Sequence, residues 1–183
     1  MPQIRLRPIR ISDAETCFRW VTDPEVSRHL GLLTPPADVR QERAWISSVL
    51  VNREQQRVFV IENEESRPIG TCGLRNIERS TGTATLGIMI GEKEAWGRGY
   101  GTAAVKALLR YAFEDLGLAA VRLSCHVDNT RALRCYGRSG FVPSEHVSDR
   151  LVFGRAEIVM AIDRARWEEL QGGEMGEGGQ TDR

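Results

Sequence analysis

The sequence predicts a single α/β (α+β) domain, with a mostly antiparallel sheet of roughly six to seven strands flanked by about four helices. The chain has 183 residues, of which 41% are hydrophobic and 27% are charged, as expected for one domain with a full core. Three consecutive apolar strand patterns, separated by turn residues, indicate an antiparallel meander over residues 57–90. Segments with helical periodicity precede and follow this meander in the chain.

The N-terminal part predicts one strand and two helices. Residues 4–11 alternate between apolar side chains and arginines, which is typical of a strand with one solvent-facing side. Ser12 and Glu15 have the spacing of a helix capping box, so the first helix should begin there. Thr34 can cap a second helix, with the two prolines that follow it in the first turn.

The meander consists of three strands and leads into the longest predicted helix. Its strands are the segments "RVFVIEN", "PIGTCGLRNI" and "TATLGIMI". The helix should span residues 99–116, because Gly117 follows it at the position where a glycine commonly ends a helix.

Four further elements and a tail complete the chain. "AAVRLSCHV" is typical of a strand, and Asn129 can cap a short helix that ends at Gly140. "HVSDRLVF" and "AEIVMAID" should form a closing hairpin around Gly154. The domain is therefore expected to cover residues 1–170. The polar, glycine-rich segment 171–183 is expected to be a disordered tail.

Composition argues against several classes of protein. Lys+Arg and Asp+Glu both total 25, so no net positive charge favours nucleic-acid binding. No apolar run approaches the ~20 residues needed to cross a bilayer, and the N-terminus lacks the apolar core of a secretory signal. None of the four cysteines forms a C-x-x-C pair. A zinc site is therefore not expected. We expect the cysteines to be reduced thiols and the protein to be cytoplasmic.

Three alternating glycines, Gly97, Gly99 and Gly101, precede the long helix. A helix N-terminus carries unpaired N–H groups and partial positive charge, and phosphate binds there when no side chain blocks its approach. The hydroxyl of Thr102 can add a hydrogen bond. The segment lacks the Gly-Lys-Ser/Thr of a Walker A loop, and its G-x-G-x-G spacing differs from the dinucleotide fingerprint. The alternative is a flexible turn that only joins a strand to a helix.

Two segments together resemble the Gcn5-related N-acetyltransferase (GNAT) superfamily. "IMIGEKEAWGRGYGTAAV" is similar to its acetyl-CoA loop, although Trp96 stands where glutamine or arginine is usual. "NTRALRCYGRSGF" is similar to a second family motif, in which Ala132 replaces a serine. The opening segment "IRLRPIRISDAETCFRWVTDPEV" resembles the branch that contains the ribosomal-protein N-terminal acetyltransferases. The resemblance covers roughly residues 4–167.

The resemblance implies a mixed sheet that is splayed between its fourth and fifth strands, where acetyl-CoA binds as cosubstrate. Backbone groups of Ile88, Met89 and Ile90 would pair with the pantetheine arm like a further strand, and Asn129 would approach the same arm. The pyrophosphate would lie at the start of the long helix, whose implied cofactor-binding residues are Gly97, Arg98, Gly99, Tyr100, Gly101 and Thr102. No metal is implied, and a monomer or homodimer is expected.

The family's general acid, which protonates the departing CoA thiolate, corresponds to Tyr136. The alternative is that Tyr136 only packs on the buried face of its helix. The general base is open: His126, Glu157, Asp23 and Glu25 are candidates, and a water-mediated base or no base are the other possibilities.

A basic stripe at helical spacing consists of Arg131, Arg134 and Arg138. A solvated helix face is the favoured interpretation, and contact with the 3′-phosphate of CoA is the alternative. The resemblance predicts an N-acetyltransferase that transfers acetyl to a primary amine, either a protein N-terminus or a small molecule, by direct attack in a ternary complex. The alternative is a CoA-binding sensor or partner-binding module without catalysis, because Thr85 stands where many relatives have an acidic residue.

Overall fold

The structure, a computed structural model, describes residues 1–30, 34–144, 151–152 and 155–176. Within these ranges the chain forms eight strands and six α-helices. The strands are β1 (Arg5–Pro8), β2 (Arg57–Glu62), β3 (Pro68–Glu78), β4 (Thr83–Ile90), β5 (Ala120–His126), β6 (Val142–Pro143), β7 (Leu151–Val152) and β8 (Arg155–Asp163). The helices are α1 (Ala14–Thr22), α2 (Pro24–Ser27), α3 (Val39–Val51), α4 (Tyr100–Arg110), α5 (Thr130–Arg138) and α6 (Arg164–Gly176).

The strands form one mixed sheet in the order β1-β2-β3-β4-β5-β8-β6, and β7 pairs with β8. Strands β4 and β5 pair in parallel, while the other described pairs are antiparallel. The parallel pairing joins residues 83–85 of β4 to residues 120–122 of β5. Beyond these positions the two strands diverge, although β4 continues to Ile90 and β5 to His126. The predicted splay between the fourth and fifth strands is confirmed.

Helices cover both faces of the sheet and enclose two hydrophobic cores. The α4–α5 core contains the buried side chains of α4 and, from the segments around it, Leu86, Cys125 and Tyr136. The α1–α3 core contains Trp20 and Ile46, and Met89 packs against it from β4. Because successive residues of a strand point to opposite faces, β4 and β5 contribute side chains alternately to the two sides.

Two helices begin at different caps from those that the sequence suggested. A 3-10 turn precedes α1 and contains Ser12, so the Ser12–Glu15 capping box does not form. Instead, the carboxylate of Asp13 accepts the backbone N–H of Arg10 at 2.7 Å. Helix α3 begins after Asp38, whose carboxylate accepts the backbone N–H of Gln41 at 3.0 Å. A carboxylate that reaches the first turn therefore takes the capping role expected of Thr34, and the prolines precede the helix.

The long helix predicted over residues 99–116 is an α-helix that ends in one π turn, Tyr111–Asp115. The N–H of Leu116 donates to the carbonyl of Tyr111, five residues earlier, at 3.1 Å. Arg164 donates from its guanidinium to the carbonyls of Phe113 and Leu118. These bonds satisfy carbonyls where the helix ends. Gly117 has a φ of +67°, which confirms the predicted stop.

The C-terminal part contains two unexpected elements, the short strand β6, which pairs with β8, and helix α6. In the predicted hairpin, β7 pairs with β8 through Leu151–Ala156 and Val152–Arg155, while residues 145–150 and Gly154 lie outside the described residues. Helix α6 was not predicted and extends into the segment expected to be a tail; residues 177–183 also lie outside the described residues. No helix in the described ranges is both long and apolar enough to traverse a bilayer.

Candidate active site

A cleft of about 320 Å³ lies along the part of β4 that diverges from β5, and the end of β4, the glycine loop and α5 form most of its lining. Eight residues that the resemblance implies line this cleft: Ile88, Met89, Ile90, Gly97, Gly99, Gly101, Thr102 and Tyr136. Three others, Arg98, Tyr100 and Asn129, lie outside its lining. Further lining residues that carried no assigned role in the sequence are Val26, Leu30, Ala95, Trp96, Ala132 and Cys135. Residues that are far apart in the chain therefore meet where the sheet opens.

The glycine loop before α4 has a backbone that only glycine adopts readily. Gly97 and Gly99 have φ values of +75° and +89°, in the left-handed region that strains other residues. Gly99 occupies the N-cap position, and its carbonyl accepts the N–H of Ala103 at 3.0 Å. The N–H groups of residues 100–102 precede this first intrahelical bond, so they form the free N-terminal end of the helix. A Cβ on Gly97 would meet no protein atom within 4 Å, which leaves room beside the backbone for an anion.

Tyr100 anchors this helix start from the side away from the cleft. Its side chain is buried, and the hydroxyl donates to the carboxylate of Glu64 at 2.7 Å. This hydrogen bond raises the pKa of Tyr100 and lowers the pKa of Glu64. The guanidinium of Arg98 lies 5.7 Å from the Tyr100 ring centre. Tyr100 is therefore placed to offer a ligand its backbone N–H, whereas its phenol fixes the helix.

Trp96 links the end of β4 to α5 across the cleft. Its indole N–H donates to the backbone carbonyl of Ile90 at 2.8 Å. The guanidinium carbon of Arg131 lies 3.8 Å from the ring centre, in a cation–π arrangement. Trp96, which replaces the family's usual glutamine or arginine, thus holds the guanidinium of Arg131 against the face of its ring.

The basic stripe on α5 forms one wall of the cleft. Arg131, Arg134 and Arg138 are exposed, and all three line the opening. The favoured interpretation of a merely solvated face is therefore incomplete, because the solvent-exposed guanidiniums border a cavity that also contains the glycine loop. Guanidinium groups bind phosphate oxygens through fixed, forked N–H donors.

Tyr136 lies on the inner face of α5 and is buried, with its ring at 6.0 Å and 64° to Phe141. Burial raises the pKa of its phenol above the ordinary value, and the neighbouring thiols of Cys125 and Cys135 add to the shift. The phenol is therefore protonated at neutral pH. Asn129 caps α5 as predicted, since its side chain accepts the N–H of Ala132 at 3.2 Å. The cap and the aromatic contact fix the position of Tyr136.

The four candidate bases lie in two groups. Asp23 and Glu25 both pair with the ammonium of Lys93, at 2.9 and 3.2 Å, and the hydrogen bond from Lys93 lowers the pKa of Asp23. His126 and Glu157 face each other in register on β5 and β8, with Nδ1 of His126 at 3.7 Å from Oε1 of Glu157. No set of three or more His, Cys, Asp and Glu side chains in the described ranges is arranged to hold a metal ion.

Comparisons with known proteins agree with this geometry. The family model "Acetyltransferase (GNAT) domain" matches residues 3–142. The chain belongs to this family. This GNAT protein is thus an N-acetyltransferase that depends on acetyl-CoA. The more specific resemblance to the ribosomal-protein branch stays a prediction.

Several relatives of this GNAT protein are known. The uncharacterized N-acetyltransferase p20 of Bacillus licheniformis is 29% identical over 142 residues, which cover 76% of this chain and 79% of the relative. The spermidine N(1)-acetyltransferase of Vibrio cholerae is 29% identical over 110 residues, which cover 60% of this chain and 63% of that protein. A crystal structure of spermidine N-acetyltransferase from Vibrio cholerae in complex with CoA and spermine superposes with a TM-score of 0.80. It is 22% identical to this chain, and the match covers 91% of this chain and 98% of the other.

Proposed function

We propose that this protein transfers the acetyl group of acetyl-CoA directly to a primary amine, with both substrates bound in the cleft between β4 and β5. One observation carries the proposal: the glycine loop before α4 and the buried Tyr136 line the same opening in the sheet. A bound pair of reactants is held close together, which removes much of the entropic cost of the reaction.

The cleft fits the parts of acetyl-CoA in order. The pantetheine arm would pair with the edge of β4 that faces away from β3 at Ile88, Met89 and Ile90, as an added strand does, where the carbonyl of Ile90 already accepts the indole N–H of Trp96. Its pyrophosphate would accept hydrogen bonds from the backbone N–H groups of residues 98–102, just before and at the start of α4. The arginines of α5 would neutralise the phosphates. Asn129 would act mainly through the cap that places α5 beside the pantetheine.

Tyr136 is proposed as the general acid. The neutral amine attacks the thioester carbonyl, the C–S bond breaks, and the CoA thiolate takes a proton from the phenol. The phenol is protonated at neutral pH, so it carries the proton that the thiolate requires. Packing against Phe141 and proton donation are compatible roles, because the ring makes the contact and the hydroxyl carries the proton.

The acceptor is proposed to be a cationic primary amine. The likeness to spermidine acetyltransferases supports a small polyamine, and the resemblance of the N-terminal segment to the ribosomal-protein branch supports a protein N-terminus. We further propose that the protein is a monomer or homodimer in the cytoplasm. Its net charge of zero supports the absence of nucleic-acid binding. A related spermidine N-acetyltransferase is a dodecamer, so the mass in solution is the direct test of oligomeric state.

The decisive experiment measures release of CoA thiol from acetyl-CoA with four acceptors: spermidine, a peptide with a free N-terminus, kanamycin and ethylamine. Turnover well above hydrolysis with at least one of them is expected. Failure to bind acetyl-CoA at concentrations well above micromolar would overturn the proposal.

The second candidate is a sensor that binds acetyl-CoA without turnover. Thr85, which lies at the last paired position of β4, carries no basic group and so favours this candidate. Tight acetyl-CoA binding together with no turnover on all four acceptors would support the sensor, and turnover on any one would exclude it.

A further inference from the structure

His126 is a buried imidazole with an unused nitrogen. It ends β5, its side chain is 5% exposed, and among the described residues its Nδ1 has no hydrogen-bond partner. Glu157 lies directly opposite on β8, but the 3.7 Å between Nδ1 and Oε1 exceeds a hydrogen bond. A buried polar atom without a partner costs free energy, and a group that donates a hydrogen bond to it would recover that cost.

A second imidazole and a second carboxylate adjoin this pair. The rings of His29 and His126 have centres 6.2 Å apart, and Nδ1 of His29 lies 3.7 Å from Oδ1 of Asp128. The four side chains thus include two carboxylates, Glu157 and Asp128. His29 directly precedes Leu30, which lines the cleft. These four side chains, the His126 cluster, lie behind the lining of the cleft rather than in it. Two carboxylates beside two imidazoles form a composition that suits an ammonium ion.

The register of the sheet places His126 level with Met89, one of the residues proposed to pair with the pantetheine arm. Thr85 pairs with Arg122, and the same offset continued along both strands brings Met89 level with His126 across the gap. Met89 packs towards the α1–α3 core, and His126 points to that side because the preceding residue, Cys125, belongs to the α4–α5 core with Tyr136. Tyr136 and His126 therefore approach the gap from opposite faces of the sheet.

We propose that His126 is the general base of the acetyl transfer, and that the His126 cluster binds the acceptor as an ammonium ion. This inference rests on the proposed function and names its missing base and the charge of its substrate. An alkyl ammonium has to lose a proton before it can attack, and an imidazole is the side chain best suited to accept it near neutral pH. Glu157 stabilises the imidazolium that results, and Asp128 does the same for His29.

The proton balance is as follows. Nδ1 of His126 takes one proton from the ammonium and later releases it to solvent. The neutral nitrogen forms the C–N bond while the C–S bond breaks, and the thiolate takes the proton of Tyr136. The second proton lost by the attacking nitrogen restores the phenol, directly or through water. One ammonium and one thioester thus give one amide, one thiol and one proton.

The test compares wild type, His126→Asn and Glu157→Gln across pH with the fastest of the four acceptors. At about pH 7, His126→Asn should lower kcat/KM by roughly 10²-fold or more. At about pH 9.5 the deficit should shrink below about tenfold, because solvent then deprotonates much of the amine. Glu157→Gln should lower kcat/KM more at about pH 7 than at about pH 9.5, since the protonated base loses its neighbouring anion and is needed less at the higher pH. Acetyl-CoA affinity should stay constant.

Ser124→Ala is the matched control, because Ser124 is an exposed residue two positions earlier on the same face of β5. A deficit of His126→Asn that is equal at both pH values, or that accompanies a loss of acetyl-CoA affinity, overturns the inference. So does a Glu157→Gln variant whose kcat/KM at about pH 7 equals that of wild type, which decides the matter if His126→Asn does not fold. If wild type uses none of the four amines, the proposed function itself fails.

Discussion

The guanidinium of Arg131 lies 3.8 Å from the centre of the Trp96 ring, and the indole N–H of Trp96 donates to the carbonyl of Ile90. The first residue belongs to α5 and the other two to the end of β4 and the loop that follows it. This contact fixes one guanidinium beside the glycine loop, although the side chain of Arg131 is exposed. A fixed guanidinium loses less entropy when it binds a phosphate than a freely moving one does.

Arg131→Gln should therefore weaken binding of CoA about tenfold, measured by calorimetry at low ionic strength. We expect an equal loss for CoA and for dephospho-CoA, because the stacked guanidinium lies near the proposed pyrophosphate site. Arg110→Gln is the control, since Arg110 is exposed on α4 and lies outside the cleft lining. An unchanged Kd for both ligands would contradict the role of Arg131, and a loss for CoA alone would assign it to the 3′-phosphate.

Tyr136→Phe should lower kcat by roughly 10²-fold or more, because it removes the proposed acid and keeps the ring. Acetyl-CoA affinity and Tm should change little, since the contact with Phe141 survives. Tyr111→Phe is the matched control, as Tyr111 packs edge-on against Phe59 away from the cleft. The measurement is a single-turnover rate, which slow product release cannot mask. A rate within about twofold of wild type would remove Tyr136 from the mechanism.

Gly101→Ala should separate acetyl-CoA binding from folding. The φ of Gly101 is not in the left-handed region, and its Cβ would make an ordinary contact with Sγ of Cys135 at 3.5 Å. Alanine is the better helix former, so Tm should hold or rise, while the added methyl narrows the approach to the helix start. We expect the Kd for acetyl-CoA to rise about tenfold.

Gly137→Ala is the control for this substitution. Gly137 lies within α5 and outside the cleft lining, and a Cβ there meets no atom within 4 Å. It should gain up to about 1 kcal/mol of stability with an unchanged Kd. Equal affinities for the two variants would show that no ligand approaches Gly101. Gly99→Val does not make this distinction, because φ strain and the 3.2 Å approach to Cδ of Pro2 would also perturb the fold.

Glu62→Gln should destabilise the protein by about 2 kcal/mol in urea unfolding. Glu62 is buried and accepts hydrogen bonds from Arg7 and Arg5, and the bond from Arg7 is the main cause of its lowered pKa. A carboxyl whose pKa is lower in the folded state stabilises above its unfolded pKa, about 4.3, and this contribution is lost as pH falls through the folded pKa. The unfolding free energy of wild type should thus fall more steeply below about pH 4 than that of the variant.

The exposed pair of Glu65 and Arg67 at 3.2 Å provides the control for that experiment. Glu65→Gln should cost less than about 1 kcal/mol, because both side chains are in water. If the two glutamine substitutions lowered the free energy of unfolding equally, the burial of Glu62 would not strengthen its ion pairs with the arginines.

Local chemistry made part of the fold predictable. The caps at Asn129 and Gly117 were found because each requires only a few neighbouring residues and one backbone conformation. The cap of α3 was misplaced because Thr34 and Asp38 are both good cap residues, and local sequence does not rank them. Helix α6 was missed because its glycines disfavour a helix, whereas its Trp167 is buried against Phe113 with ring centres 5.3 Å apart. Tertiary packing decided that element.

Contacts between distant segments determine the site. From the sequence, only the family resemblance predicted some of these contacts. The resemblance brought the glycine loop and Tyr136 together. It did not predict that Trp96 stacks on Arg131. A tryptophan in place of the usual glutamine or arginine does not indicate, in the sequence, which side chain it contacts. The approach of His126 to Glu157 depends on the β5–β8 register, and register follows from the assembled sheet.

The gap between β4 and β5 gives the sheet two interior edges in addition to its two outer ones. Edges of strands with open N–H and C=O groups invite pairing with other chains, and proteins usually cover them. Here a small molecule would serve as the cover. Resistance to proteolysis and to aggregation should therefore rise with the concentration of CoA compounds, as binding to the folded state alone requires. The amount of intact protein in a cell would then follow its supply of activated acyl groups.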